Sequence, residues 1–178
     1  MSSDALTPTS YQVLVLVGRG GAGAHDLVRM ARQGRVYASA AESQYYAESK
    51  RLARLGYLSA RKVPGKTRER TFYELTDKGV EALREWMKEP PSLPQVSTDG
   101  IVRLLAADLV GEPAVRESLG GLRAEIEEMI ELAFISEETA QSLPHRSKYL
   151  HLNYALARAV LEAHLAWLDE VERQLDAD

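Results

Sequence analysis

Cations are concentrated in one short stretch of the sequence. Residues 61–70 carry two lysines and three arginines around a Pro64-Gly65 turn signal, opposed by a single acid, Glu69. Such a cluster can hold phosphate oxygens through charge-assisted hydrogen bonds. It can also keep an exposed hairpin edge soluble, because proteins often charge such edges with lysine. We favour phosphate binding, by Lys66, Arg68 and Arg70.

A segment rich in polar side chains precedes these cations. Its apolar residues recur at helical spacing until Leu55-Gly56, which predicts a helix ending there. Residues near the start of such a helix approach nucleic-acid bases first. Tyr45 and Tyr46 are adjacent, so we expect one in the core and one exposed, and the sequence does not decide which. Base reading is predicted for Ser43, Gln44, Tyr46 and Lys50, with Ser39 as a further contact near the helix start.

One residue of this helix, Glu42, has the wrong charge for a phosphate contact. We expect it to cap the helix, to pair with an arginine or to accept a hydrogen bond from a cytosine amine.

The spacing of apolar residues changes after Gly56. Leu58 on one side of the basic turn, and Phe72, Tyr73 and Leu75 on the other, predict two strands of a hairpin. Thr76 can then cap a helix from Asp77 to about Lys88. A helix followed by a hairpin with a cationic tip is typical of a winged helix-turn-helix. Its helix enters the major groove while the hairpin holds the phosphates.

A glycine-rich segment offers a different chemistry. Val13–Val17 precede Gly18–Gly23, which matches the GxGxxG pattern of dinucleotide-binding loops. That fold needs strand, glycine turn and helix, followed by further parallel strands. Strands and helices do not alternate afterwards, so we favour a connection between two helices. Periodicity alone leaves Tyr11–Arg19 open as helix or buried strand, and a nucleotide-binding protein remains the less favoured alternative.

Histidines and aromatic residues suggest two further kinds of site. His145 and His151 are six residues apart, which fits one helical face poorly, and no GxSxG-like setting is present, so we expect no metal, no cofactor and no catalysis. The aromatic residues can line a small-molecule pocket or form core and dimer interface. Effector binding is predicted for His25, Trp86, Tyr149 and Tyr154, with His25 alternatively bonding within the first half of the chain.

The sequence divides at a proline-rich segment. Three prolines between Glu89 and Pro94 end the predicted helix. Residues 1–80 hold thirteen Lys/Arg and seven Asp/Glu, a net of +6, whereas residues 81–178 hold nine and nineteen, a net of −10. The second half shows apolar stripes typical of helices. A last helix from Pro144 to Asp176 would be about 50 Å long and needs a partner, either the preceding helix or another subunit.

Bulk properties exclude several classes of protein. The 178 residues include no cysteine, which excludes disulfides, thiolate zinc sites and cysteine nucleophiles. The longest apolar run, Val13–Val17, is far too short to span a bilayer, and the first residues lack the pattern of a signal peptide. We therefore expect a soluble, cytoplasmic protein with no membrane partner.

Two motifs in the first half resemble the PadR family of transcriptional regulators. They are YYAESKRLARLGYL, Tyr45–Leu58, and GKTRERTFYELTDKG, Gly65–Gly79, within a resemblance that covers roughly residues 10–88. The chain departs from the family pattern where Gly23-Ala24-His25-Asp26 stands in place of a His-Gly-Tyr-Glu-like stretch. It departs again where Ser49 stands in place of a leucine.

The resemblance implies a homodimeric repressor that is not an enzyme. Each subunit would present one winged helix to half of a palindromic operator in double-stranded DNA, and a small-molecule effector would release it. The expected fold is mostly α with a small β-hairpin. Residues 10–88 would form a winged helix-turn-helix DNA-binding domain and residues 96–178 a helical dimerisation domain. A winged helix that binds protein instead of DNA is the alternative.

Overall fold

The computed structural model describes residues 5–33, 40–65, 69–91 and 99–176, and for Gln33 the backbone alone. The chain divides into two units, Met1–Ser92 and Leu93–Asp178, called unit 1 and unit 2 below. The described part is mostly helical with one small sheet, as predicted. Its elements are α1 (Pro8–Val17), β1 (Ala22–Gly23), α2 (Ala24–Gln33), α3 (Glu42–Arg54), β2 (Leu58–Val63), β3 (Arg70–Leu75), α4 (Asp77–Trp86), α5 (Asp99–Leu105), α6 (Ala107–Val110), α7 (Glu112–Ala140) and α8 (Ser147–Leu175).

The first helix is defined by its N-terminal cap. The Thr7 side-chain oxygen accepts from the Ser10 amide at 3.2 Å, and the Ser10 hydroxyl oxygen accepts from the Thr7 amide at 2.8 Å. Pro8 follows the cap, where its missing N–H costs nothing. These two reciprocal hydrogen bonds cap the start of α1. The residues from Tyr11 to Val17, which periodicity left open as helix or buried strand, are therefore helical. Val13, Leu14 and Val17 are buried on the inner side of α1.

The glycine-rich segment connects α1 to α2, as favoured, but it also forms a strand that the sequence analysis missed. Ala22 and Gly23 of β1 pair antiparallel with Tyr73 and Phe72 of β3. Gly21 has a φ of +70°, and a Cβ there would lie 2.5 Å from the Phe72 ring. The predicted hairpin is therefore part of a three-stranded antiparallel sheet in the order β1-β3-β2. A dinucleotide fold requires parallel strands, and the described residues form none.

Hydrogen bonds of Thr76 fix the hairpin of β2 and β3, called the wing below, on the helices of unit 1. The Thr76 hydroxyl donates to the Gly56 carbonyl at 2.7 Å, and its oxygen accepts from the Gly79 amide at 3.2 Å, which caps α4 as predicted. A Cβ at Gly79 would lie 2.3 Å from the Tyr57 carbonyl oxygen. The Leu-Thr-x-x-Gly motif is thus explained by a cap and a close approach of two backbones. Helix α4 ends at Trp86, two residues before the predicted Lys88.

The core of unit 1 lies between the first three helices and the sheet. Leu14, Leu27 and Leu52 are completely buried, one from each of α1, α2 and α3, and Leu58 and Tyr73 cover them from the sheet. Each such leucine contributes roughly 1.5–3 kcal/mol by burial.

Unit 2 is built on two long antiparallel helices. Helices α7 and α8 have 29 residues each, so α8 is about 43 Å long. Arg123 in the first half of α7 pairs with Asp169 at 2.7 Å and Glu172 at 3.0 Å in the last part of α8. Helix α8 begins at Ser147 and not at the predicted Pro144. The buried apolar stripe of α8 packs on α7. The preceding helix is therefore one of the two partners predicted for this long helix.

Two short helices precede this pair. Ala106 separates α5 from α6. A Cβ at Gly100 would lie 3.2 Å from the Trp167 ring, so α5 lies close against α8 at this glycine. No helix in the described ranges has a hydrophobic stretch sufficient to cross a membrane.

Candidate nucleic-acid interface

The two adjacent tyrosines of α3 have opposite environments. Tyr45 is 3% exposed and donates to the Gln12 side-chain oxygen at 3.1 Å, whereas Tyr46 is 36% exposed. Burial raises the pKa of Tyr45. Ser49, which stands where the PadR pattern has a leucine, is completely buried, and its hydroxyl donates to the Tyr45 carbonyl at 2.7 Å. Tyr45 therefore belongs to the core and Tyr46 to the surface.

The surface of α3 carries the residues predicted to read bases. Ser43, Gln44, Tyr46 and Lys50 are all exposed. The Gln44 side-chain oxygen accepts from the Ala41 amide at 3.0 Å, so this residue also caps the helix. Glu42 pairs with Arg32 of α2, which was one of the roles expected for it. Its charge at the exposed start of α3 is therefore paired with a cation.

A polar network fixes α3 on α1. The Ser10 hydroxyl donates to the Glu48 carboxylate at 2.5 Å, and Arg51 donates to that carboxylate at 2.9 Å and to the Ala5 carbonyl at 3.0 Å. The Glu48 and Arg51 side chains are 14% and 19% exposed. Burial acts to raise the pKa of Glu48, but hydrogen bonds from Arg51 and Ser10 outweigh it and hold that pKa below its usual value. This network was not predicted from the sequence. The i, i+3 spacing of Glu48 and Arg51 is nevertheless typical of an ion pair on one helix face.

A concave surface of about 550 Å³ lies between α2, α3 and the wing. We call it the cationic cleft, because three permanent cations and one histidine face a single acid in it. The cations are Lys50, Lys62 and Arg70, the histidine is His25 and the acid is Glu69. Its other lining residues are Gly23, Ala24, Tyr46, Thr71 and Tyr73.

Hydrogen bonds hold several of these side chains in place. Lys62 donates to the Thr71 hydroxyl at 3.2 Å across the hairpin. Arg70 lies 3.4 Å from the Asp26 carboxylate, which also pairs with Arg29 at 3.1 Å. The wing and α2 are therefore connected by a carboxylate that neutralises part of the positive charge.

The structure brings together three of the predicted DNA contacts, Tyr46, Lys50 and Arg70, in one cleft. Lys62, a member of the basic cluster for which no contact was predicted, also lines this cleft. Ser39, Lys66 and Arg68 lie outside the described residues.

The residues predicted to bind an effector are not all in one unit. In unit 1, His25 lies 3.4 Å from the Tyr46 hydroxyl in the cationic cleft, and Trp86 stacks on Tyr11 with ring centroids 4.6 Å apart. In unit 2, Tyr154 is buried and Tyr149 is exposed. Burial raises the pKa of Tyr154, against a weaker opposing effect of its hydrogen bond with Ser136. Among the described residues no His, Asp and Glu side chains cluster as a metal site would require.

Comparison with known proteins shows what this arrangement is similar to. No model of a known protein family matches the chain. The negative transcriptional regulator PadR of Bacillus subtilis is 26% identical to it, over 94% of this chain and 97% of PadR. The crystal structure of that PadR in complex with operator DNA matches with a TM-score of 0.75 at 20% identity, over 93% of this chain and 98% of that one. The chain resembles the PadR transcriptional regulator along nearly its whole length.

Two further structures extend the comparison. A PadR-like transcriptional regulator from Bacillus cereus matches this chain with a TM-score of 0.79 at 15% identity, over 95% of this chain and 98% of its own. The Bacillus subtilis PadR in complex with p-coumaric acid matches with a TM-score of 0.67 at 21% identity, over 98% and 100%. The chain thus has a winged helix-turn-helix in unit 1 and the long helices α7 and α8 in unit 2, as PadR does.

Proposed function

We propose that this chain binds a palindromic operator as a homodimer, represses transcription, and is released by a small-molecule effector. The observation that carries the proposal is the cationic cleft, because it combines the exposed face of α3 with the wing in one surface. The structural match to a PadR that is bound to operator DNA supports the same reading.

The contacts divide between bases and phosphates. Tyr46 and Lys50, with Ser43 and Gln44 at the start of α3, are exposed on the helix that would enter the major groove. Lys62 and Arg70 would hold phosphates, together with Lys66 and Arg68 of the same basic cluster in the sequence. Ser39 would add a contact before α3. Each neutralised phosphate releases counterions, so affinity should fall steeply with salt.

The proposed dimer rests on apolar side chains that unit 2 leaves exposed. Tyr149, Leu152 and Leu156 recur at three and four residues along α8 and are 68%, 58% and 57% exposed. A second exposed stripe runs along α5 and α6, through Val102, Leu105 and Leu109. Contiguous exposed apolar surface marks an interaction site. We assign it to a second copy of the chain, because a palindrome is read by two heads related by twofold symmetry.

The proposed effector is a small aromatic acid, since the related PadR was crystallised with p-coumaric acid. Trp86 is exposed beside Tyr11, and in unit 2 Tyr149 offers exposed aromatic surface, whereas Tyr154 is buried. An effector releases DNA only if it binds the DNA-free arrangement more tightly. We expect p-coumarate to quench tryptophan fluorescence and to weaken DNA binding at the same concentrations. Quenching without any loss of DNA affinity would argue against an effector role.

The function is tested by selecting DNA with the full-length chain. Fragments of the source genome are incubated with the purified protein at moderate salt, and the retained fragments are sequenced. We expect one palindromic motif with half-sites about one helical turn, or a multiple of it, apart. Sedimentation should then show two chains per duplex, and transcription from a promoter with that motif should fall when the protein is added. Retention of random fragments would contradict a sequence-specific regulator.

A further inference from the structure

His25 occupies a position in the cationic cleft that its predicted effector role does not explain. It is the second residue of α2 and is exposed. One of its ring nitrogens, Nδ1, lies 3.4 Å from the hydroxyl of Tyr46 on α3. An imidazole has two ring nitrogens, so the ring can hold Tyr46 with one and a ligand with the other. The histidine therefore lies where the proposed DNA surface begins on α2.

The charges around this histidine come from every element of the cleft. Asp26 and Arg29 belong to its own helix, Tyr46 and Lys50 to α3, and Lys62 to β2, with Glu69 and Arg70 on the other side of the hairpin. Four of these side chains are cations and two are acids, so the surroundings of the ring are positively charged overall. A phosphate entering the cleft adds negative charge that favours a protonated ring.

We propose that His25 is a DNA-contacting residue that donates to a phosphate oxygen and makes DNA affinity rise as pH falls. The inference rests on the proposed DNA binding. An imidazole ordinarily takes up its proton between pH 5 and 8, a range in which lysine and arginine stay charged. The protonated ring donates from both nitrogens and adds a charge, whereas the neutral ring donates from one. DNA binding therefore takes up a proton at His25, and lower pH favours the complex.

The departure from the PadR pattern supplies a matched variant. The pattern has a tyrosine where this chain has His25, and a tyrosine stays neutral throughout this pH range. His25→Tyr therefore keeps a ring and a hydrogen-bonding group but removes the proton uptake. His25→Gln removes the ring and keeps a neutral donor. His145→Gln, an exposed histidine of unit 2, serves as the control for substitution of a histidine elsewhere.

The test measures fluorescence anisotropy of a labelled duplex at constant ionic strength between pH 6 and pH 8. Two duplexes are used with the full-length chain: one of mixed sequence at low salt, and one carrying the selected motif. For the wild type and His145→Gln, we expect binding to tighten about threefold or more across this range, below the limit of tenfold per pH unit for one coupled proton. His25→Tyr and His25→Gln should lose that pH dependence. Circular dichroism at each pH confirms that all variants stay folded.

The outcomes separate this inference from the function on which it rests. If the wild type binds DNA tightly and His25→Gln shows the same pH dependence, the role of His25 is overturned and the DNA-binding proposal stands. If the wild type binds neither duplex at any pH, both proposals are overturned. Loss of pH dependence in both His25 variants, with binding at pH 8 largely retained, supports the inference.

Discussion

The two units of the chain are stabilised in different ways. Unit 1 depends on single close approaches, such as the Gly79 backbone against the Tyr57 carbonyl and Gly21 against the Phe72 ring. Unit 2 depends on a repeated seam, in which apolar residues of α7 and α8 meet along 29 residues of each helix. A substitution at one point of unit 1 should therefore have a large effect. The seam distributes its stabilisation, and the outer faces of its helices stay available for a second copy.

The largest expected effect comes from adding one methyl group to each unit. In Gly79→Ala the new Cβ would lie 2.3 Å from a backbone oxygen that cannot move alone, so we expect a loss of about 2 to 3 kcal/mol in the free energy of unfolding. In Gly120→Ala nothing lies within 4 Å of the new Cβ on α7, so we expect a gain of about 0.5–1 kcal/mol from helix propensity. Denaturant unfolding of both variants checks this. Equal effects would remove the contrast between the units.

The next effect concerns the exposed stripe of α8. Replacing Leu152 and Leu156 by glutamate places two charges in the proposed dimer interface, so we expect mainly monomers at concentrations where the wild type is dimeric. Met87→Glu is the control, since Met87 is 76% exposed in unit 1. Sedimentation equilibrium gives the association constants. A double variant that stays dimeric would place the interface elsewhere.

A smaller effect on stability is expected when two ion pairs with the same spacing in the sequence are compared. Glu48 and Arg51 in unit 1, and Glu170 and Arg173 in unit 2, are both three residues apart and bonded at 2.9 Å. The first pair is largely buried and the second is exposed. We expect Glu48→Gln to cost about 1–2 kcal/mol at neutral pH and Glu170→Gln almost nothing, because solvent screens the exposed pair.

The pair of Glu48 and Arg51 also predicts in which direction the free energy of unfolding changes with pH. The pKa of Glu48 is held below its usual value, so the unfolded chain binds the proton more tightly than the folded one. Its stabilisation is present at neutral pH and is lost as pH falls below about 4.5 and through the folded pKa. The difference in unfolding free energy between wild type and Glu48→Gln should shrink in that window. A difference that stays constant down to pH 3 would show that the charge of Glu48 is not what stabilises α3.

The smallest contrast lies within one helix. Tyr45→Phe removes a hydrogen bond to Gln12 and should cost about 1 kcal/mol of stability without changing DNA affinity. Tyr46→Phe removes an exposed hydroxyl from the cationic cleft and should weaken DNA binding roughly fivefold with stability unchanged. Thermal unfolding and anisotropy on both variants distinguish the roles. If the effects are exchanged, the assignment of core and surface on α3 is wrong.

The parts of the fold that could be predicted from sequence are those with local signals. Thr76, the basic turn and the switch in apolar spacing predicted the hairpin and α4, because caps and periodicity act within a few residues. Strand β1 has two residues and no periodicity, so only its pairing with Tyr73 and Phe72 defines it.

The candidate site was predictable to a similar extent. The exposed residues of α3 and the wing cations follow from residue type and position. Nothing local distinguishes Tyr45 from Tyr46, because only packing against Gln12 and the core makes that choice. Likewise, His25 and Tyr46 belong to different helices and are twenty-one residues apart in the sequence, so only the tertiary fold brings them together.

The central claim, that unit 1 binds duplex DNA through the cationic cleft, is tested most directly by the salt dependence of binding. Anisotropy with the selected duplex and a scrambled one is measured at several salt concentrations for the wild type, Lys50→Gln, Arg70→Gln and the unit 2 control Arg103→Gln. We predict preferential binding to the selected duplex with a steep salt slope. Arg70→Gln should lower the slope by about one unit on both duplexes.

Lys50→Gln should in addition reduce the preference for the selected duplex, and Arg103→Gln should change neither quantity. Absence of binding even at low salt, or equal slopes in all four proteins, would contradict the claim and favour a winged helix that binds protein.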